Sequence, residues 1–253
     1  MTNKPLQLGF SSYIAFDAQG RRQKGFKVLA ILSDYLGDLD KLTLLDIGCS
    51  TGFMTALYAE HFRDVTGIDI DAPAVSHAAQ HNTNVPNLHW LIQDSQCLGF
   101  RDAGFDVVIC THIYEHVPDA HRLMAEIHRV LKPGGVCFFS AGNRFSLMEP
   151  HYRLPLLSVI PKWLAHRYLA LLGRGSHYYE THLSLAGLRK LVRSFEVIDY
   201  TMRVVQEPVK FHAEDMIEPG SFKQQALLVF LRIFYGLCPT YLWVLKKTEK
   251  VDQ

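Results

Sequence analysis

Five short apolar runs punctuate the chain between residues 42 and 141: LTLLDIG (42–48), VTGIDI (65–70), LHWLIQD (88–94), FDVVICT (105–111) and VCFFSA (136–141). Short apolar runs bounded by turn formers read as strands, the first of them buried on both faces. Segments of helical periodicity accompany them. One covers 53–62. Another covers 72–82, with Asp71 as its cap and Pro73 in its first turn. A third starts from the cap Asp119 and carries Leu123, Ile127, Val130 and Leu131 on one face. Lys132-Pro133-Gly134-Gly135 stops it with a positive end, a proline and two glycines. A helix over 25–36 precedes the first strand. Strands alternating with helices predict an α/β fold, a doubly wound Rossmann-like sheet with right-handed crossovers. Such sheets bind ligands at the carboxyl ends of their strands.

The later chain is less regular. Residues 143–182 form a connection rich in aromatics, histidines and prolines, too long to be a plain loop. It reads as a helical or loop insertion after the fifth strand. A helix over 184–195 capped by Ser184, a strand over 196–202, a very apolar helix over 222–235 and a strand over 240–246 follow. The organisation expected is one domain over 1–253. Its core is 25–142, its acceptor lid or insertion 143–183, and its C-terminal part of the sheet 184–253.

Composition narrows the function classes. A net charge of +1 lacks the basic excess of a nucleic-acid binder, so no nucleic-acid partner is expected. The five cysteines are scattered with no C-x-x-C pair, which suggests neither a zinc site nor a disulfide framework. They read as reduced, buried thiols of a cytoplasmic protein. The opening MTNKPLQLGFSSY lacks the apolar core of a signal peptide. No apolar run reaches the ~18 residues that a membrane span needs.

The chemistry-bearing segment is Asp46-Ile47-Gly48-Cys49-Ser50-Thr51-Gly52, where a strand enters a tight glycine turn and then a helix. Glycines let the backbone approach a ligand, and the helix start offers free N–H groups. Asp69 ends the next strand, where its carboxylate can accept from both hydroxyls of a ribose or stand solvated. Asp94, followed by Ser95, ends the third strand; it can meet an adenine amino group or simply shape a turn.

LLDIGCSTG, VTGIDID, QDS, and FDVVICTHIYEHVPD followed by HRVLKPGG stand in order over about residues 40–142. In this set the chain resembles class I S-adenosylmethionine-dependent methyltransferases of the type 11 kind. The resemblance implies seven strands, the last antiparallel and inserted beside the fifth. It implies S-adenosylmethionine as cofactor, with Gly48, Cys49, Ser50 and Gly52 shaping its turn and Asp46 supporting it. Asp69 would hold the ribose, Ile70 pack on the adenine, Asp94 and Ser95 meet its edge, and Thr111 lie near the methionine part. Ser50 stands where many relatives have glycine.

That serine raises a rival, because Gly48-x-Ser50-x-Gly52 also fits the nucleophile elbow of a serine hydrolase. A hydrolase leaves Asp69, Asp94 and HRVLKPGG unexplained. A nicotinamide dehydrogenase lacks its G-x-G-x-x-G spacing, and a non-catalytic cofactor binder is the third alternative.

Methyl transfer from a sulfonium is an in-line displacement, and a hydroxyl or amine acceptor calls for a proton acceptor. His112 and His116, just past the fourth strand, are the candidate catalytic bases. His151, His177 and His182 in the insertion follow. Each has a structural reading as well. No ligand cluster stands out along the sequence, so no metal requirement is expected. The acceptor class implied is a small-molecule, glycan or lipid-linked precursor. The apolar stretch 222–237 reads first as a buried packing helix and second as a peripheral membrane contact.

Overall fold

The run 105–111 becomes the middle of a sheet. In the computed structural model, which describes residues 18–248, β4 (Phe105–Thr111) is flanked by β1 (Thr43–Ile47) and β5 (Leu131–Gly142). β2 (Asp64–Asp69) and β3 (Leu88–Ile92) continue the sheet beyond β1, all of these strands running parallel. Beyond β5 lie β9 (Thr240–Lys247), antiparallel to both its neighbours, and β8 (Phe195–Asp199) at the edge. The order β3-β2-β1-β4-β5-β9-β8 gives the seven strands expected, with the last inserted antiparallel beside the fifth. Strand order reverses between β1 and β4, and that switch point opens a crevice at their carboxyl ends.

Alternate residues of each strand serve opposite faces. Leu44, Val107, Ile109, Val136 and Phe138 are buried against α1 (Ala18–Leu36) and α2 (Phe53–Ala59). Leu45, Val108, Cys110, Cys137 and Phe139 face α4 (Ala120–Val130) and α6 (Leu185–Leu191). The caps act as read: Asp71 accepts from Ala74 N at the start of α3 (Ala72–His81), and Asp119 accepts from the N–H groups of His121 and Arg122.

Between β5 and α6 the insertion has structure of its own. A hairpin of β6 (Met148–Glu149) and β7 (Leu154–Pro155) precedes α5 (Lys162–Leu171). Leu154, Leu157, Ala165, Leu169 and Tyr178 form a separate small core beneath it.

Several expectations need correction. β5 starts at Leu131, five residues before the run read from sequence, because a register shift opposite Phe105–Val107 accommodates the Pro-Gly-Gly turn within the strand. α7 (Thr201–Gln206) occupies residues partly read as strand. α8 (Phe222–Phe234) is not a buried helix: Leu227, Leu228 and Leu231 pack on the core, while Phe222 is 86% and Ile233 66% exposed. Cys97 is exposed; the other four thiols are buried. The stretch MTNKPLQLGFSSY lies outside the described residues. Among the described residues no helix is long and apolar enough to cross a membrane.

Candidate active site

The glycine turn is fixed by backbone geometry. Gly48 and Gly52 have φ of 77° and 76°, the left-handed region that favours glycine. A Cβ at Gly48 would stand 2.1 Å from Ile113 Cδ1, and one at Gly52 would stand 2.3 Å from Trp90. Conformation requires glycine at both positions, and at Gly52 packing against Trp90 and Ala78 requires it again. The amides of Gly48 and Cys49 donate to Ile68 O, which ties the turn to the end of β2. Ser50 also adopts a left-handed φ of 50°, so the serine survives in a conformation where glycine is easier.

Two aspartates support this turn in different ways. Asp46 is buried under it and accepts from Thr55 Oγ1 of α2 at 2.6 Å. Burial pushes its carboxyl up to about 7, with the Thr55 bond opposing and the Asp69 charge adding. It faces the helix rather than the crevice, a supporting position. Asp69 is half-buried, and its two oxygens accept from Ser50 N at 2.8 Å and Asp71 N at 3.0 Å. Each oxygen keeps acceptor capacity, since a carboxylate offers about four sites.

The opposite wall comes from the tips of β4 and β5. His112 has a left-handed φ of 54°, rare for a residue with a side chain and frequent at functional positions. Its Nδ1 lies 3.1 Å from Glu115 Oε1 and its Nε2 lies 3.1 Å from Ser140 Oγ. Burial alone would push the Glu115 carboxyl up, but the His112 ring holds it below the ordinary range. Thr111 Oγ1 is buried with no hydrogen-bond partner.

The end of the insertion is stitched to these tips. Thr181 N donates to Glu115 O, Leu183 N donates to Tyr114 Oη, and Tyr114 Oη donates to Gly142 O. Asn143 of the β5 exit bridges to Leu183 and donates to the carbonyls of Gly236 and Cys238. Buried carboxylates collect here: Glu115, Glu149 and Glu180 are all at most 1% exposed. His151 Nδ1 is 2.7 Å from Glu149 Oε1, and His116 Nδ1 is 3.9 Å from Glu180 Oε1. Burial would lift the Glu149 carboxyl, and the His151 bond holds it down.

The turn, Asp69, Thr111 and His112 thus stand at the carboxyl ends of β1, β2 and β4. Ile70, 37% exposed beside Asp69, offers an apolar surface. Asp94 stands at the tip of β3 and is held by Gln96 through its amide and side chain. Ser95 follows, partly buried. The His116 ring meets that of His151 of the insertion at a near-right angle, and both histidines stand close to Glu115. Among the described residues no histidine is hydrogen-bonded to the Ser50 hydroxyl, and nothing in the site supports the hydrolase alternative. Sequence reading missed Glu115, Glu149 and Glu180, and Arg21 of α1, whose guanidinium donates to Thr51 Oγ1 at 3.1 Å.

An adenosyl sulfonium fits what these residues offer. A ribose diol suits the carboxylate at Asp69, the exposed face of Ile70 suits a base, and the orphaned Thr111 hydroxyl suits a polar tail.

Comparison with known proteins finds methyltransferases. Residues 45–139 match the sequence profile of a family described as "Methyltransferase domain". A ubiquinone biosynthesis O-methyltransferase of Coxiella burnetii is 31% identical over 137 residues, 54% of this chain and 55% of that protein. The enzyme of the same name from Idiomarina loihiensis is 27% identical over 193 residues, 72% of each chain. The chain spans about half the length of the first of these relatives. Among solved structures, a SAM-dependent methyltransferase from Methanosarcina mazei shares the fold with a TM-score of 0.52 and 22% identity, over 66% of this chain and 85% of that one.

Proposed function

We propose that this chain, whose residues 45–139 are a class I S-adenosylmethionine-dependent methyltransferase domain, methylates a hydroxyl oxygen of a quinone-precursor acceptor, small or lipid-linked. The observation that carries the reading is the pair His112–Glu115 at the switch point, across the crevice from Asp69 and its glycine turn.

S-adenosylmethionine, when bound, supplies a methyl group on a positively charged sulfur that leaves as a neutral thioether. The chain's own residues do the rest. Asp69 grips the sugar, and Gly48 and Gly52 let the backbone come close. A hydroxyl acceptor needs its proton taken as the oxygen attacks. Glu115 accepts from His112 Nδ1–H, which leaves Nε2 as the basic nitrogen. Ser140 Oγ holds Nε2 in place until the acceptor hydroxyl replaces it. A carboxylate acceptor would need no such base, so the pair favours a hydroxyl. The relatives named O-methyltransferases support the same choice.

A lipid-linked acceptor also gives the exposed side of α8 a use, as a peripheral contact with the membrane that holds it.

The test is methyl transfer from labelled S-adenosylmethionine to hydroxylated quinone precursors, with and without a lipid chain, using the parent chain and His112→Gln. The expected result is a product methylated on oxygen and a rate loss of about 100-fold or more in the variant. A normal rate in His112→Gln removes the histidine from the chemistry. Labelling on nitrogen or carbon rejects the acceptor class.

A further inference from the structure

We infer that Glu149, His151 and His182 form a binding site for one divalent transition-metal cation of the zinc class, on the insertion. The inference is independent of the methyl-transfer reading. None of the three residues lies in the segment 45–139 that matches the methyltransferase domain.

Two of the ligands share one hairpin, Glu149 at the end of β6 and His151 in the turn after it, and the third comes from the segment entering α6. One donor atom from each stands within 4.8 Å of the others. Glu149 is fully buried and His182 is 7% exposed. Isolated charges and polar atoms are rarely buried like this without a partner. His182 supplies the sharpest sign. Its Nδ1 lies 3.0 Å from Tyr178 Oη, while its Nε2 is buried with no hydrogen-bond partner. A histidine whose one nitrogen is oriented by a neighbour and whose other nitrogen is left without a partner has the form of a metal ligand with its supporting contact. The missing side chain of Gly142 makes room for this ring: a Cβ there would lie 3.1 Å from His182 Nε2.

Glu149 is oriented in the same manner. Its Oε2 accepts from Tyr152 N and its Oε1 faces His151 Nδ1, each at 2.7 Å. The backbone bonds of Thr181 and Leu183 to Glu115 and Tyr114 fix His182 on the other side. The donors are therefore held before any ion arrives. Two imidazoles and one carboxylate match zinc and its first-row neighbours. Magnesium and calcium prefer oxygen-only sets. A second group, Glu115, His116 and His151, shares His151 and places further donors beside the first. A cation here clamps the hairpin to the exit of the insertion.

The test uses the full chain, stripped with a chelator and titrated with Co2+ and then Zn2+. The expected result is one Co2+ per chain with the visible absorption of a low-coordinate nitrogen–oxygen site, displaced by Zn2+, and a higher melting temperature with Zn2+. His182→Gln and Glu149→Gln should each weaken binding beyond the ~10–100-fold that loss of a supporting contact causes. His151→Gln, on the exposed side of the hairpin, decides the matter if the buried variants fail to fold. His89→Gln, in an exposed pair with Asp64, should bind like the parent. Absence of the absorption band, or unaltered binding in His151→Gln, overturns the site. Calorimetry with S-adenosylhomocysteine separates this outcome from a failure of the methyltransferase reading, because that affinity belongs to Asp69 and the glycine turn.

Discussion

Asp46 and Asp69 sit at the ends of adjacent strands and do opposite work. Asp69 keeps acceptor capacity at the crevice, so Asp69→Ala should lower affinity for S-adenosylhomocysteine by about 10–150-fold, the worth of hydrogen bonds to a charged group. Calorimetry reads it, and an unchanged affinity would remove the nucleoside from this position. Asp46 is buried beneath the turn, and its folded-state value of about 7 lies above the ordinary 3.8. The fold thus favours the protonated acid. That contribution is whole below about pH 4 and is lost as pH rises through about 7. Asn keeps an acceptor for Thr55 and carries no charge. Asp46→Asn should therefore melt like the parent near pH 4 and higher than the parent at pH 8. The gap from 3.8 to about 7 is worth on the order of 4 kcal/mol. Equal melting temperatures at both pH values would refute the burial argument. These residues were legible in the sequence because a strand end, a glycine turn and a helix start are local. Glu115, Glu149 and Glu180 were not, since a lone glutamate has no spacing that announces burial. Only the fold brings residues 112–116, 149–151 and 180–182 together.

Elements were legible where a cap or a break marks their ends. Asp71, Asp119, Ser184 and Ser221 each accept from an amide in the first turn that follows. Asp119 accepts two, so Asp119→Ala should cost about 1 kcal/mol in urea unfolding with an unchanged m-value. A cost near zero would mean that solvent replaces the cap. Where no such mark exists the reading slipped. Pro133 and the two glycines after it signal a helix stop, yet β5 absorbs them through a register shift opposite β4. α7 is a short helix beginning at Thr201 with no side-chain cap bond. It is held by tertiary packing of Val204 and Val205, which local sequence does not encode.

At the scale of the molecule, the antiparallel strand beside the fifth was legible through the family resemblance, while the alternation of strands and helices pointed to the parallel part of the sheet. The exposure of α8 was not legible, because an apolar helix reads as buried until its neighbours are counted. Only one side of it finds the core. Phe222, Ile233 and Phe234 are 86%, 66% and 50% exposed, with Lys223 and Arg232 on the same helix. Each large apolar side chain moved out of water gains roughly 1.5–3 kcal/mol, and a nearby cation adds about 1 kcal/mol on an anionic surface. Three such side chains and two cations outweigh the entropy of holding the chain at a surface only if they enter it together. The parent chain should therefore float with anionic lipid vesicles, and less so at high salt. Phe222→Ser, Ile233→Ser and Phe234→Ser combined should abolish flotation. The same triple variant should keep its affinity for S-adenosylhomocysteine, because the three exposed side chains leave untouched the tie of α8 to α7, where Gln224 donates to the carbonyls of Val205 and Gln206. A parent chain that stays with the soluble fraction would remove the membrane from the proposal.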